Sequence, residues 1–145
     1  MSEKNEAIVR RMFEEVWNNR QIDAIERYHT SDFAHRDPQN PAQGLDAFRE
    51  VVKKYQSAFP DARLEIEDLL SAGDQVVVRW RATGTHRGML EGLPATGRQA
   101  AVTGISIFCL SGDKIREEFV NWDTLGLMQQ LGVVTLPGKA AAAGA

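Results

Sequence analysis

The chain has 145 residues, of which 43% are hydrophobic and 26% charged, with a formal charge of −3 at pH 7. That length and balance describe one soluble globular domain and exclude nucleic-acid binding through bulk positive charge. The single cysteine, Cys109, excludes an intrachain disulfide and a cysteine cluster for zinc.

The opening MSEKNEAIVRRMF has no long apolar run, so neither a signal peptide nor a membrane anchor is expected, and the default location is cytoplasmic. Residues 4–18 set Ile8, Val9, Met12, Phe13, Val16 and Trp17 at steps of three and four, with charged residues between them. This is one apolar helical stripe, with Ser2 as its N-cap. A shorter helix carries Ile22, Ile25 and Tyr28. SDFAHRDP (31–38) reads as a short extended piece, because Pro38 biases Asp37 away from the α region. PQNPAQG (38–44) is a loop. A third helix follows, with Leu45, Phe48, Val51, Val52, Tyr55 and Phe59 on one face and Pro60 as its stop.

The period then changes from helical to two. Leu64 and Ile66 alternate with Arg63, Glu65 and Glu67, as in a strand with one wet face. After the turn at Ala72-Gly73-Asp74, Val76, Val78, Trp80, Ala82, Gly84 and His86 share one parity, and Val77, Arg79, Arg81, Thr83 and Thr85 the other. RGMLEGLPATG (87–97) is a glycine-rich loop. Strands are expected at about 98–110 and 114–122, joined by Ser111-Gly112-Asp113, and a leucine-rich helix closes the domain. Helices early and strands late define an α+β class with an antiparallel sheet. Three amphipathic helices on one face of a curved sheet leave a cavity between the layers. A single domain over 1–137 and a frayed tail at 138–145 are expected.

Several polar residues carry two readings each. Asp123 follows an apolar strand and precedes the last helix, so it is either a helix N-cap or a general base in an apolar setting. His86 continues the buried parity of the second long strand. There it is either a proton relay or a histidine hydrogen-bonded at a strand end. His35 and Asp37 point the same way in an extended segment, either as a pair at the cavity rim or as a solvated loop. His29 reads as structural, an imidazolium suited to the end of the second helix. Arg79 and Arg81 belong to the wet face or a subunit interface, and Trp80 and Trp122 to the core or cavity wall. No H-E-x-x-H, G-x-G-x-x-G, Walker or G-x-S-x-G pattern is present, and His29, His35, Asp37 and His86 have no tight ligand spacing, which leaves a facial triad assembled from distant segments as the remaining route to a metal site.

VVVRWRATGTHRGMLEGLPATGR (76–98) and GDKIREEFVNWDTLGLMQQLG (112–132), with FAHRDP (33–38) and the start of helix three at Gly44, resemble the SnoaL-like polyketide cyclase family, also called ester cyclases. The resemblance covers about residues 4–133. It implies a cystatin-like, or nuclear-transport-factor-like, α+β cone with a deep apolar pocket. It also implies cofactor-free ring closure of a carbonyl compound by intramolecular aldol condensation. On it, Asp123 is the acid/base, His86 its partner, and His35 a pocket histidine. Trp80, Phe108, Asn121 and Trp122 are then expected at the substrate as well. Asp123→Asn is accordingly expected to keep the fold and abolish turnover. The alternatives are a hydrolase or isomerase using the same pocket, or a binding protein without chemistry. A homodimer through the outer sheet face is expected, because Val77, Arg79 and Thr83 mix apolar and polar character there.

Overall fold

The computed structural model describes residues 2–138. Helix α1 (Ser2–Met12) continues into a π-helical segment (Phe13–Asn18), and a 3-10 turn (Ile22–Ala24) leads into α2 (Ile25–Tyr28). Strand β1 (His29–Arg36), the two-residue strand β2 (Ala42–Gln43) and helix α3 (Leu45–Ala58) follow. Then come β3 (Arg63–Ala72), β4 (Gln75–Thr85), β5 (Gln99–Ser111), β6 (Lys114–Trp122) and α4 (Thr124–Gln130). The expected tail lies, from residue 139 on, outside the described residues, as does the side chain of Ser2.

The apolar periodicity becomes packing directly. Ile8, Val9, Met12, Phe13 and Val16 are buried along the first helix, and Phe48 and Val52 along α3. On β4, Val76, Val78 and Trp80 are buried while Arg79 and Arg81 are exposed. The β3–β4 and β5–β6 hairpins turn on Gly73 (φ 58°) and Gly112 (φ 62°), a backbone region that only glycine enters without strain.

The six strands run in the order β2-β1-β6-β5-β4-β3. The α+β class holds, but the sheet is mixed rather than antiparallel, because β1 pairs with β6 in parallel. Hairpins force antiparallel pairing only between consecutive strands, and about half of the chain separates β1 from β6. Register shifts interrupt β3 between Ile66 and Asp68 and the β5–β6 pair beside Cys109 and Leu110. Such bulges bend a sheet. Its inner face packs with the helices in one apolar core. Among the described residues, no helix is long and apolar enough to cross a membrane.

Candidate active site

Between α3, the π-helical segment and the inner face of the sheet lies an apolar cavity of about 140 Å³ that continues into open space. A closed apolar cavity of about 150 Å³ holds one benzene ring, so the enclosed part has room for about one such ring. Phe13 and Trp17 of the π-helical segment line it, with Phe59, Leu64, Val102, Val120 and Leu127. Single-turn π insertions are common beside functional sites.

One corner of this apolar wall is polar. His35, Asp37, Tyr55, Glu118 and Trp122 all face the cavity. Strand pairing explains the first contact, since His35 on β1 and Glu118 on β6 are register partners. His35 Nδ1 lies 3.0 Å from Glu118 Oε1. A carboxylate only accepts, so Nδ1 carries the hydrogen and Nε2 is left for other work. Nε2 lies 3.9 Å from Asp37 Oδ2, outside hydrogen-bond range. The other Glu118 oxygen accepts from Ser106 Oγ at 2.8 Å, and Ser106 Oγ accepts from Trp80 Nε1 at 3.0 Å. Asp37 is fixed as firmly. Its Oδ1 takes the Gln39 amide (2.9 Å), and its Oδ2 takes Trp122 Nε1 (2.9 Å) and Asn40 Nδ2 (3.2 Å).

Burial alone would lower the His35 pKa. The hydrogen bond to Glu118 and the charges of Glu118 and Asp37 outweigh it, and the net shift is upward. Tyr55 is pushed up to about 12, first by burial and then by the charges of Asp37 and Glu91 against the opposing hydrogen bond from Asn40. It is a neutral phenol at any physiological pH. His29, also on β1, is lowered to about 4, chiefly by burial. It is therefore a neutral core histidine, its Nδ1 2.7 Å from the Ile25 carbonyl, and not the imidazolium expected from sequence.

The structure brings together His35, Trp80 and Trp122 as cavity residues and leaves out the other four expected site residues. Asp123 is exposed and caps α4, its Oδ1 accepting from the Gly126 amide at 2.8 Å. The condition for a base in an apolar hollow is not met there. His86 is fully buried but outside the cavity lining, where it lies beside Phe59 and accepts the Thr96 amide at 3.1 Å. Strand β4 ends at Thr85, so the parity that pointed His86 inward no longer applies to it. Phe108 is buried against Phe13 behind the cavity wall. Asn121 is exposed, one residue out of phase with Val120 and Trp122. Glu118, Tyr55 and Asn40 were not singled out from sequence. For Glu118 a signal existed: in REEFVNW it shares parity with Val120 and Trp122. Among the described residues, no group of three or more His, Cys, Asp or Glu is arranged to hold a metal ion.

A curved mixed sheet and helices around an apolar cavity with one hydrogen-bonded His–Glu corner define an α+β cone. The chain belongs to the SnoaL-like polyketide cyclase family, whose profile matches residues 7–131. Aklanonic acid methyl ester cyclase DnrD from Streptomyces peucetius is 31% identical over 134 residues, covering 86% of this chain and 88% of that protein. A candidate polyketide cyclase from Acidithiobacillus ferrooxidans superposes with a TM-score of 0.79 at 30% identity, over 91% of this chain and 96% of its own. A candidate SnoaL-like cyclase from Jannaschia reaches a TM-score of 0.85 at 23% identity, over 92% and 95% of the two chains, a likeness that concerns the fold.

Proposed function

We propose that the protein closes a ring in an apolar polyketide-like carbonyl compound by intramolecular aldol addition, with His35 as the base. The observation that carries the reading is the His35–Glu118 hydrogen bond at the wall of an apolar cavity. A methylene between two carbonyls is acidic enough for an imidazole. His35 Nε2 takes the proton, and the resulting imidazolium is stabilised by Glu118 and Asp37. The enolate carbon attacks a ketone of the same molecule, and the new alkoxide takes the proton back from Nε2. Substrate and product are isomers, and the base is regenerated. Raising the imidazole pKa makes it a stronger base in its neutral form. The apolar walls hold the two ends of the substrate together and keep bulk water away.

The direct test uses aklanonic acid methyl ester, the compound in the name of the relative from Streptomyces peucetius. An isobaric cyclised product is expected, with no label when the reaction runs in heavy-oxygen water. Label in the product replaces ring closure with hydrolysis. Tight binding without consumption, of this ester and of simpler aryl diketones, replaces it with a carrier role.

The reading extends to a pair of copies. On the outer face, Leu70, Val77, Ile107 and Phe119 are successive register partners across four strands, and Ile105 lies beside them. Leu70 is 68% exposed and Ile105 52%. Arg79 and Arg81 stand on one side of β5, and Glu117, Asn121 and Asp123 on the other. A two-fold axis along β5 sets the basic column of each copy over the polar and acidic column of the other. Sedimentation is expected to give a dimer that Phe119→Lys dissociates; a wild-type monomer at micromolar concentration rejects it.

A further inference from the structure

Asn40 is the hub of a network that reaches from the protein surface to the cavity. Lys54 Nζ donates to Asn40 Oδ1 at 2.8 Å and to Glu91 Oε1, in the 87–97 loop, at 2.6 Å. The Asn40 amide nitrogen donates to Asp37 Oδ2 at 3.2 Å and to the Tyr55 hydroxyl at 2.9 Å. An ammonium group can only donate, so it selects the oxygen end of the Asn40 amide and turns the nitrogen end inward. Both amide hydrogens are then used, one on Asp37 and one on Tyr55.

The consequence falls on Tyr55. Its oxygen accepts from Asn40, and among the described residues nothing accepts its own hydrogen. With the amide reversed, the phenol would donate to Asn40 Oδ1 and have no hydrogen to offer. Tyr55 lines the cavity beside Trp122, with ring centroids 5.8 Å apart. We propose that the Tyr55 hydroxyl is the hydrogen-bond donor for the substrate's carbonyl oxygen, and that Asn40 and Lys54 are positioning residues that hold it in that sense. This rests on the cavity being a carbonyl site, as the proposed ring closure requires. It adds the group that stabilises the enolate or alkoxide oxygen while His35 handles the proton. Tyr55 is the catalytic residue of the three, because it alone meets the substrate. The Lys54–Glu91 contact ties the same device to the 87–97 loop, so a change in that loop reaches the donor through one ammonium group.

The experiment reads the donor without turnover. Carbon-13-labelled 2-acetylnaphthalene, an apolar aryl ketone, is bound to the full chain and its carbonyl stretch followed by difference infrared spectroscopy. In the wild type the stretch is expected to move to lower frequency than in an apolar solvent. Tyr55→Phe is expected to abolish the shift, and Lys54→Met and Asn40→Leu to reduce it. Glu118→Gln is expected to leave the shift in place while turnover falls, which separates the donor from the base. A shift that survives Tyr55→Phe overturns the assignment, as does a ketone that does not bind. A full shift in both Lys54→Met and Asn40→Leu overturns the positioning role. With a turned-over substrate, Tyr55→Phe is expected to lower kcat by about 10²–10³, the usual loss for one oxyanion donor, with KM little changed.

Discussion

Two carboxylates five residues apart at the end of the last strand have opposite surroundings. Glu118, in the middle of β6, is buried and holds His35 and Ser106. Asp123, just past its end, is exposed and spends its oxygen on the first turn of α4. Both adjoin apolar residues in the sequence, Phe119 after Glu118 and Trp122 before Asp123. Strand β6 ends at Trp122, so the alternation that orients Glu118 does not extend to Asp123, whose backbone already turns into α4. Val120 and Trp122 reach the cavity, so the residue in phase with them is Glu118. Apolar neighbours in sequence do not desolvate a carboxylate; apolar neighbours on the same face do.

The strongest way to break this comparison is to remove the charge at Glu118. Glu118→Gln is expected to lower turnover by roughly 10²–10⁴, the usual worth of positioned acid–base catalysis. The pH profile carries the sign. Activity needs neutral His35, so it rises with pH through the His35 pKa, which Glu118 and Asp37 hold above the ordinary 6.5. In the variant, residual activity is expected to begin at lower pH. An acid limb that stays in place separates His35 from the rate.

The two buried histidines of β1 sharpen the same point through stability. His29 is lowered to about 4, so its neutral form contributes stability that is complete above 6.5 and lost as pH falls towards 4. A shift of that size corresponds to roughly 3 kcal/mol. His35 is raised, so its contribution is complete below 6.5 and lost as pH rises through its native value. Denaturant titrations are expected to show a steep acid loss that His29→Gln flattens, and a gentler alkaline loss that His35→Gln removes. The alkaline loss coincides with the appearance of the neutral imidazole that does the chemistry. If His29→Gln leaves the acid limb unchanged, another group sets it.

A smaller effect is expected at Gly104, the register partner of Trp80. A methyl group there would lie 2.3 Å from the Trp80 ring. Trp80 lines the cavity and donates to Ser106, which in turn supports Glu118. Gly104→Ala is expected to cost about 1–3 kcal/mol, as overpacking does, and to lower turnover by tilting the Glu118 support. Stability and turnover both equal to wild type would mean that the ring has room to move.

The fold was legible because it rests on periodicity. Steps of three and four in residues 4–18 and 45–59, and alternation in 75–85, are local patterns that the buried core reproduces. The parallel β1–β6 pair was not legible, because its partners are separated by about 80 residues and no local pattern specifies them. The site failed for the same reason. His35 was found from its own strand, but its meaning depends on Glu118, 83 positions away. Tyr55 and Asn40 looked like a helix face residue and a loop residue. Only the fold sets them 2.9 Å apart. The resemblance carried the family and the pocket, and its residue roles at Asp123 and His86 fell at positions that this chain's geometry turns away from the cavity.

The smallest predicted effect belongs to the other side of the comparison. Asp123 and Gly126 are matched to each other, since a methyl group on Gly126 would lie 2.1 Å from Asp123 Oδ2. In this rotamer the carboxylate occupies the space that a Cβ on residue 126 would fill. Asp123→Asn, which also caps well, is expected to leave both stability and turnover near wild type, contrary to a role as base. Asp123→Ala is expected to cost about 1 kcal/mol, the usual worth of a cap, and Gly126→Ala to cost at least as much by displacing the same oxygen. The α4 helix is still held by Gln130, whose amide clasps the Ala101 backbone at 2.8 and 2.9 Å, so losing the cap loosens its first turn without releasing it. Thermal melts of the three variants, read beside their turnover, decide the matter. A fully stable Asp123→Asn without turnover returns the base to Asp123 and removes His35 from that role.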